Sequence, residues 1–131
     1  MNQSKGLIKW HEFVKSREMS KLNGFIAEDA VFHSPVVWTP QKGKKIVQIY
    51  LAAAGQIIGN DHFEYVREIL NDNCAVLEFK TIIDGISVEG VDLITFNNKD
   101  QLTDMKVMIR PLKAVNIVHQ KIGEFLMKMK Q

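Results

Sequence analysis

Cysteine is almost missing from this chain. Cys74 stands alone among 131 residues, so no internal disulfide can form and no cysteine-rich zinc site can be built. Near the start of an expected strand it reads as a small hydrophobe, and the scarcity suits a reducing, cytoplasmic setting. Only three prolines occur, at 35, 40 and 111, and no Pro/Gly/Ser-rich linker, low-complexity tract or internal repeat divides the sequence, so residues 1–131 are expected to form a single domain. Long apolar runs are also lacking. Nothing approaches the ~20 residues of a membrane-spanning helix, and the N-terminal stretch has no apolar signal-peptide core. Neither sign of charge prevails: 17 Lys and Arg face 15 Asp and Glu, for a net +2. With no basic run longer than a dipeptide, neither nucleic acid nor a membrane surface is an expected partner.

Chemical motifs are equally sparse. There is no GxGxxG, no P-loop and no GxSxG, which leaves nucleotide cofactors and hydrolase triads without support. His11, His33, His62 and His119 are scattered without i, i+4 pairing, so no metal site and no cofactor are predicted.

What is present is periodicity. Leu7, Trp10 and Val14, with Phe13 beside them, predict a first helix, and a short turn through Leu22, Phe25 and Ile26 follows. Ile46, Ile49, Tyr50, Ala53, Ala54 and Ile57 form a second helical face that opens after Gly43 and stops near Gly59-Asn60. A last stripe runs through Val115, Val118, Ile122, Phe125, Leu126 and Met129, entered at Pro111. Between Asp61 and Arg110 the period becomes strand-like, predicting strands at about 62–70, 75–83, 86–96 and 102–110. Asp84-Gly85 is the clearest hairpin signal, because a type I′ turn needs positive φ at both residues. A short strand at Ala30–His33 precedes them, since the residue before Pro35 is pushed away from helix. Helices, then a mostly antiparallel sheet, then one helix make an α+β arrangement with one sheet face left for a second chain or for solvent. Leu93, Thr95 and Met108 are expected on that outer face.

One residue conflicts with its surroundings. Asp92 lies inside the apolar run Val91-Asp-Leu-Ile-Thr-Phe96, where a carboxylate must be solvated, paired or held protonated.

The element order, the stretch Phe25-Ile-Ala-Glu-Asp-Ala-Val-Phe-His-Ser-Pro35, Gly43 opening a helix, Gly90-Val-Asp-Leu-Ile-Thr-Phe96 and Arg110-Pro111 together resemble the SnoaL-like and ketosteroid-isomerase-like branch of the nuclear transport factor 2-like superfamily. The resemblance covers almost the whole chain. It implies a cystatin-like conical barrel, a curved, mostly antiparallel sheet wrapped around N-terminal helices, with an apolar pocket at its wide end and dimerisation through the outer sheet face. Laid on this chain, the family's pocket tyrosine falls on Trp10, its general-base aspartate on Ser34 and its oxyanion-stabilising acid on Asp92. Two of the three are departures: a serine without an adjacent base does not abstract a proton, and an indole donates one hydrogen bond without titrating. Steroid-type isomerisation by the familiar route is therefore not expected. Asp92, kept protonated by an apolar pocket, remains the catalytic candidate.

With Asp92 facing inward, alternation adds Val88, Gly90, Ile94 and Phe96, and the family register adds Met105, Val107 and Ile109. Leu77 and Phe79 are expected from the strand before, Tyr50 from the second helix, and Trp38 either rims the pocket or covers the core edge. His33 should turn away from Ser34, and Arg110 outward to a salt bridge. These residues imply a neutral, partly hydrophobic, oxygen-bearing ligand, bound by an isomerase, dehydratase or cyclase, or else by a non-catalytic binding module.

Overall fold

A computed structural model describes residues 4–129; Met1, Asn2, Gln3, Lys130 and Gln131, and with them the first residues of the N-terminal stretch, lie outside it. Helix α1 (Lys5–Ser16) buries Leu7, Trp10 and Phe13. Ser4 caps it by accepting from the Leu7 N–H at 3.3 Å, satisfying one of the unpartnered donors of the first turn. Arg17 closes it in the left-handed conformation at φ 60°. A 3₁₀ turn, Met19–Leu22, follows. Phe25 and Ile26, expected in that turn, instead feed strand β1 (Ile26–His33), which is longer than the predicted Ala30–His33. The reason is tertiary: β1 pairs in parallel with a distant strand, and a register shift between Ile26 and Val31 breaks the alternation that would mark a strand.

A two-residue strand β2 (Gln41–Lys42) folds back on β1, and Gly43, at φ 112°, turns the chain into helix α2 (Lys44–Ile57). No side chain is compatible with that φ at low cost, which explains a glycine at the helix entrance. Fully buried residues on α2 are Val47, Leu51, Ala52 and Ala53, so the buried face is rotated from the stripe read from the sequence. Ile46, Tyr50, Ala54 and Ile57 flank it, half-buried against the core.

Four antiparallel strands come next: β3 (Glu64–Asn71), β4 (Cys74–Ile83), β5 (Ile86–Phe96) and β6 (Leu102–Arg110). The Asp84-Gly85 turn has φ of 49° and 77°, as a type I′ hairpin requires. Lys121 of the last helix, α3 (Leu112–Met129), holds that turn through Asp84 at 2.9 Å. The backbone carbonyl of Pro111 accepts from the N–H groups of Ala114 and Val115 and so starts α3. Strand order is β2-β1-β6-β5-β4-β3 in one mixed, curved sheet that does not close. The helices lie against its inner face, and β4 shows why: exposure alternates residue by residue along the strand, with Ala75, Leu77, Phe79, Thr81 and Ile83 inward. Each large apolar side chain removed from water there contributes roughly 1.5–3 kcal/mol. The outer face carries half-buried Leu93 and Thr95 and half-exposed Met108.

Candidate functional site

Register places Asp92 at the centre of the inner sheet face. Leu77 of β4 lies opposite it on one side and Val107 of β6 on the other, and its side chain is 5% exposed. Burial raises its carboxyl pKa from 3.8 to about 7, against which a hydrogen bond from Tyr65 acts downward. The Tyr65 hydroxyl donates to Asp92 Oδ2 at 2.7 Å, and the Trp10 indole Nε1–H donates to the Tyr65 oxygen at 2.9 Å. A relay thus runs from α1 through β3 to β5. Tyr65 itself is held well above its ordinary pKa by burial, then by the charge and hydrogen bond of Asp92, so it stays a neutral phenol near pH 7. Tyr65 supplies the only protein hydrogen bond to Asp92 among the described residues, and no occluded side-chain oxygen there lacks a partner. The second carboxylate oxygen therefore faces open space.

That space is a cavity walled by Trp10, Phe13, Leu51, Phe79, Met105 and Val107, with Asp92 and Tyr65 as its polar groups inside. Its free volume is only ≈40 Å³, room for roughly three water-sized groups. Arg17, Gly59 and Phe63 stand at its rim. Phe63 stacks on Phe79 at 5.2 Å and meets Tyr65 edge-on at 4.9 Å, fixing the tyrosine ring over the acid.

Of the residues singled out by sequence, Trp10, Phe79, Asp92, Met105 and Val107 come together here. Leu77 and Ile94 are fully buried behind the cavity wall and do not line it. Ser34 and Tyr50 line a smaller pocket of ≈20 Å³ with Pro35, Val118 and Ile122, divided from the first by Ala54, Ile58 and Val107, which border both. The Ser34 hydroxyl accepts from the Val36 N–H at 3.1 Å. Ile109 packs partly on the core and borders an outer-face groove. Trp38 is 98% exposed and lines neither pocket. His33 turns from the cavity to pair with Asp104 at 3.1 Å, and Arg110 pairs with Glu89.

Tyr65 is the hydrogen-bonding site residue that sequence reasoning missed; Phe13 and Leu51 of the wall and Arg17, Gly59 and Phe63 at the rim were not foreseen either. Strand β3 is exposed along nearly its whole length, and a register shift between Tyr65 and Arg67 removes the period that would have shown one residue facing inward. Its pairing opposite Phe79 becomes visible only in the assembled sheet. Among the described residues, no group of three or more His, Cys, Asp or Glu is arranged to hold a metal, and no described helix is long and apolar enough to cross a membrane.

No protein-family profile and no curated protein matches the sequence; similarity lies in solved structures. A steroid delta-isomerase from Pseudomonas aeruginosa superposes with a TM-score of 0.89 at 27% identity, over 95% of this chain and 90% of that one. A conserved bacterial protein with a cystatin-like fold from Silicibacter pomeroyi, itself uncharacterised, gives 0.87 at 26% identity, over 95% and 87% of the two chains. The epoxide hydrolase/cyclase-like enzyme SalBIII shares the fold, with a TM-score of 0.64 at 12% identity over 81% and 88%.

Proposed function

We propose that this chain, which belongs to the SnoaL-like and ketosteroid-isomerase-like branch of the nuclear transport factor 2-like superfamily, binds a small molecule through a neutral carbonyl or hydroxyl oxygen and acts on it through Asp92 without a cofactor. The observation that carries this reading is the 2.7 Å contact between Tyr65 and a carboxyl group buried in an apolar cavity.

A proton inventory says what such a site can do. When Asp92 is ionised, the one Tyr65 hydroxyl hydrogen is spent on the carboxylate, and the Trp10 hydrogen is spent on Tyr65. Nothing in the relay then donates into the cavity. When Asp92 is protonated, two hydrogens serve one Tyr–Asp contact, so one is free for a ligand oxygen. A pKa near 7 lets the same group donate a proton and, ionised, accept one close to neutrality. This suits chemistry with one proton shuttle: ionised Asp92 takes an α-hydrogen from a ketone and returns it to the oxygen to give the enol, or protonated Asp92 gives its proton to a hydroxyl that departs as water and then, as the carboxylate, takes the neighbouring C–H hydrogen. The position of the missing base, Ser34, borders the other pocket, which favours reactions that need one titrating group.

A ketone offered to the protein tests this. Acetone binding, followed by the Trp10 indole resonance, should weaken as pH rises through about 7 and lose that dependence in Asp92→Asn. Binding insensitive to pH in the wild type would leave Asp92 outside the ligand site. A non-catalytic binding module is the second reading, favoured by the base position being filled by Ser34, whose oxygen accepts from the Val36 N–H; full affinity for ketones with no exchange of their α-hydrogens into heavy water would select it.

The same reading includes a homodimer through the outer sheet face, where Ile69 and Met108 are about half exposed around a groove bordered by Val76 and Val91. Apolar exposure of this kind on one sheet face is what a second copy would cover.

A further inference from the structure

The inner cavity is too small for a whole metabolite. Its ≈40 Å³ is far below the ~300 Å³ at which pockets begin to enclose drug-sized ligands. It does not end at its rim, however. Val14, Arg17, Gly59, Phe63 and Tyr65 border both this cavity and an outer groove of ≈360 Å³ that continues past His11, Lys15, Asn60 and Glu64. A ligand whose head reaches Asp92 must therefore leave its remaining length in that groove.

Charge in the groove is asymmetric once its ion pairs are assigned. Lys15 and Arg17 outnumber Glu64 among its lining residues; Glu64 pairs with Lys80 at 3.1 Å, and Glu68 is in contact with His11 at 2.6 Å. Arg17 holds Asp61 at 3.2 Å, but Asp61 is 94% exposed. An ion pair so open to water contributes about 0–1 kcal/mol and is readily exchanged. Lys15 makes no ion pair among the described residues. The groove thus offers one free cation and one exchangeable guanidinium, whose planar fork suits a carboxylate.

We propose that the ligand is an amphipathic acid: a small neutral head bearing a ketone or hydroxyl enters the Asp92 cavity, and a carboxylate at the other end lies in the outer groove between Lys15 and Arg17. This deepens the reading of Asp92 as the oxygen-binding group and rests on it. Arg17, at the rim of both spaces, is the residue that relates the length of the ligand to the position of its head.

Straight-chain keto acids with a methyl ketone remote from the carboxylate, their methyl esters, and the parent fatty acids are the probes. Each is titrated into the wild type and into a Lys15→Gln/Arg17→Gln variant at about pH 6, where a free carboxylate is ionised. Affinity and the Trp10 indole resonance are both read. The keto acid should bind about tenfold more tightly than its ester, the sum expected of two partly exposed ion pairs. That preference should shrink with added salt and vanish in the double variant, in which the Trp10 shift persists. The parent fatty acid should not shift Trp10 as the ketones do. Equal affinity for acid and ester, with Trp10 shifted by both, would overturn the anionic end alone and leave the cavity reading intact. A preference that survives in the double variant would overturn the assignment to Lys15 and Arg17. Failure of every ketone to move Trp10 would overturn both this inference and the reading beneath it.

Discussion

At the scale of single residues, Asp92 exchanges stability for chemistry. Its folded pKa of about 7 lies above the ordinary 3.8, so between those values the folded chain holds a proton that the unfolded chain has lost, and stability falls as pH rises. Below that window both states are protonated; above it both are ionised and the loss is complete. The full span corresponds to on the order of 4 kcal/mol. Urea unfolding of the wild type and Asp92→Asn from pH 4 to pH 8.5 should show the variant gaining on the wild type by a few kcal/mol, and parallel curves would mean that the acid is well solvated. Tyr65→Phe removes the hydrogen bond that holds the Asp92 pKa down. The Asp92 carboxyl, titrated by NMR, should then have a higher midpoint than in the wild type, and the orphaned Trp10 N–H should cost roughly 1–3 kcal/mol. An unchanged midpoint would show that the tyrosine does not govern the acid.

At the scale of elements, the site depends on the consecutive strands β3 to β6 and on helices α1 and α2 meeting at fixed spacing. Gly90 of β5 has the Phe79 ring on one side and the Met108 carbonyl on the other; a Cβ there would meet them at 2.4 and 2.8 Å. Because one neighbour is backbone and the other is a cavity wall, Gly90→Ala cannot be absorbed by moving a flexible side chain. Overpacking of this kind costs about 1–3 kcal/mol, and displacing Phe79 should also weaken ketone binding. Thermal unfolding and a binding titration of the same variant check both effects. A fully stable Gly90→Ala protein would indicate that β4 and β5 are more loosely apposed than this. The helices act differently: α1 contributes both Trp10 and the mouth residues Val14 and Arg17, so a shift of its last turn alters the relay and the entrance together.

At the scale of the whole molecule, the sheet is open at both edges and has one face without a helix. If a second copy covers that face, sedimentation should find a dimer at micromolar concentration, and Met108→Lys should yield a folded monomer; a monomeric wild type would remove the interface. The inner half of the architecture was legible in the chain because alternation survives wherever a strand has one wet and one dry face, as in β4 and β5, and because Asp84-Gly85 and Gly43 need backbone angles that few residues accept. The α2 stripe was read a few positions off its buried centre, since Ile and Tyr on a helix flank cannot be told from those at its middle by spacing alone. The sequence by itself therefore determined the α+β class, a local consequence of hydrophobic period, while the inward placing of Asp92 came only with the family resemblance. Only the tertiary structure decided what that carboxyl touches. Tyr65 reaches it across β4 from a strand whose own pattern is erased by a register shift, Ser34 is diverted to a neighbouring pocket, and Trp38 points to water. Contacts between residues 27 to 55 positions apart follow from how strands are paired and bulged in space, a property that no local window of the sequence contains.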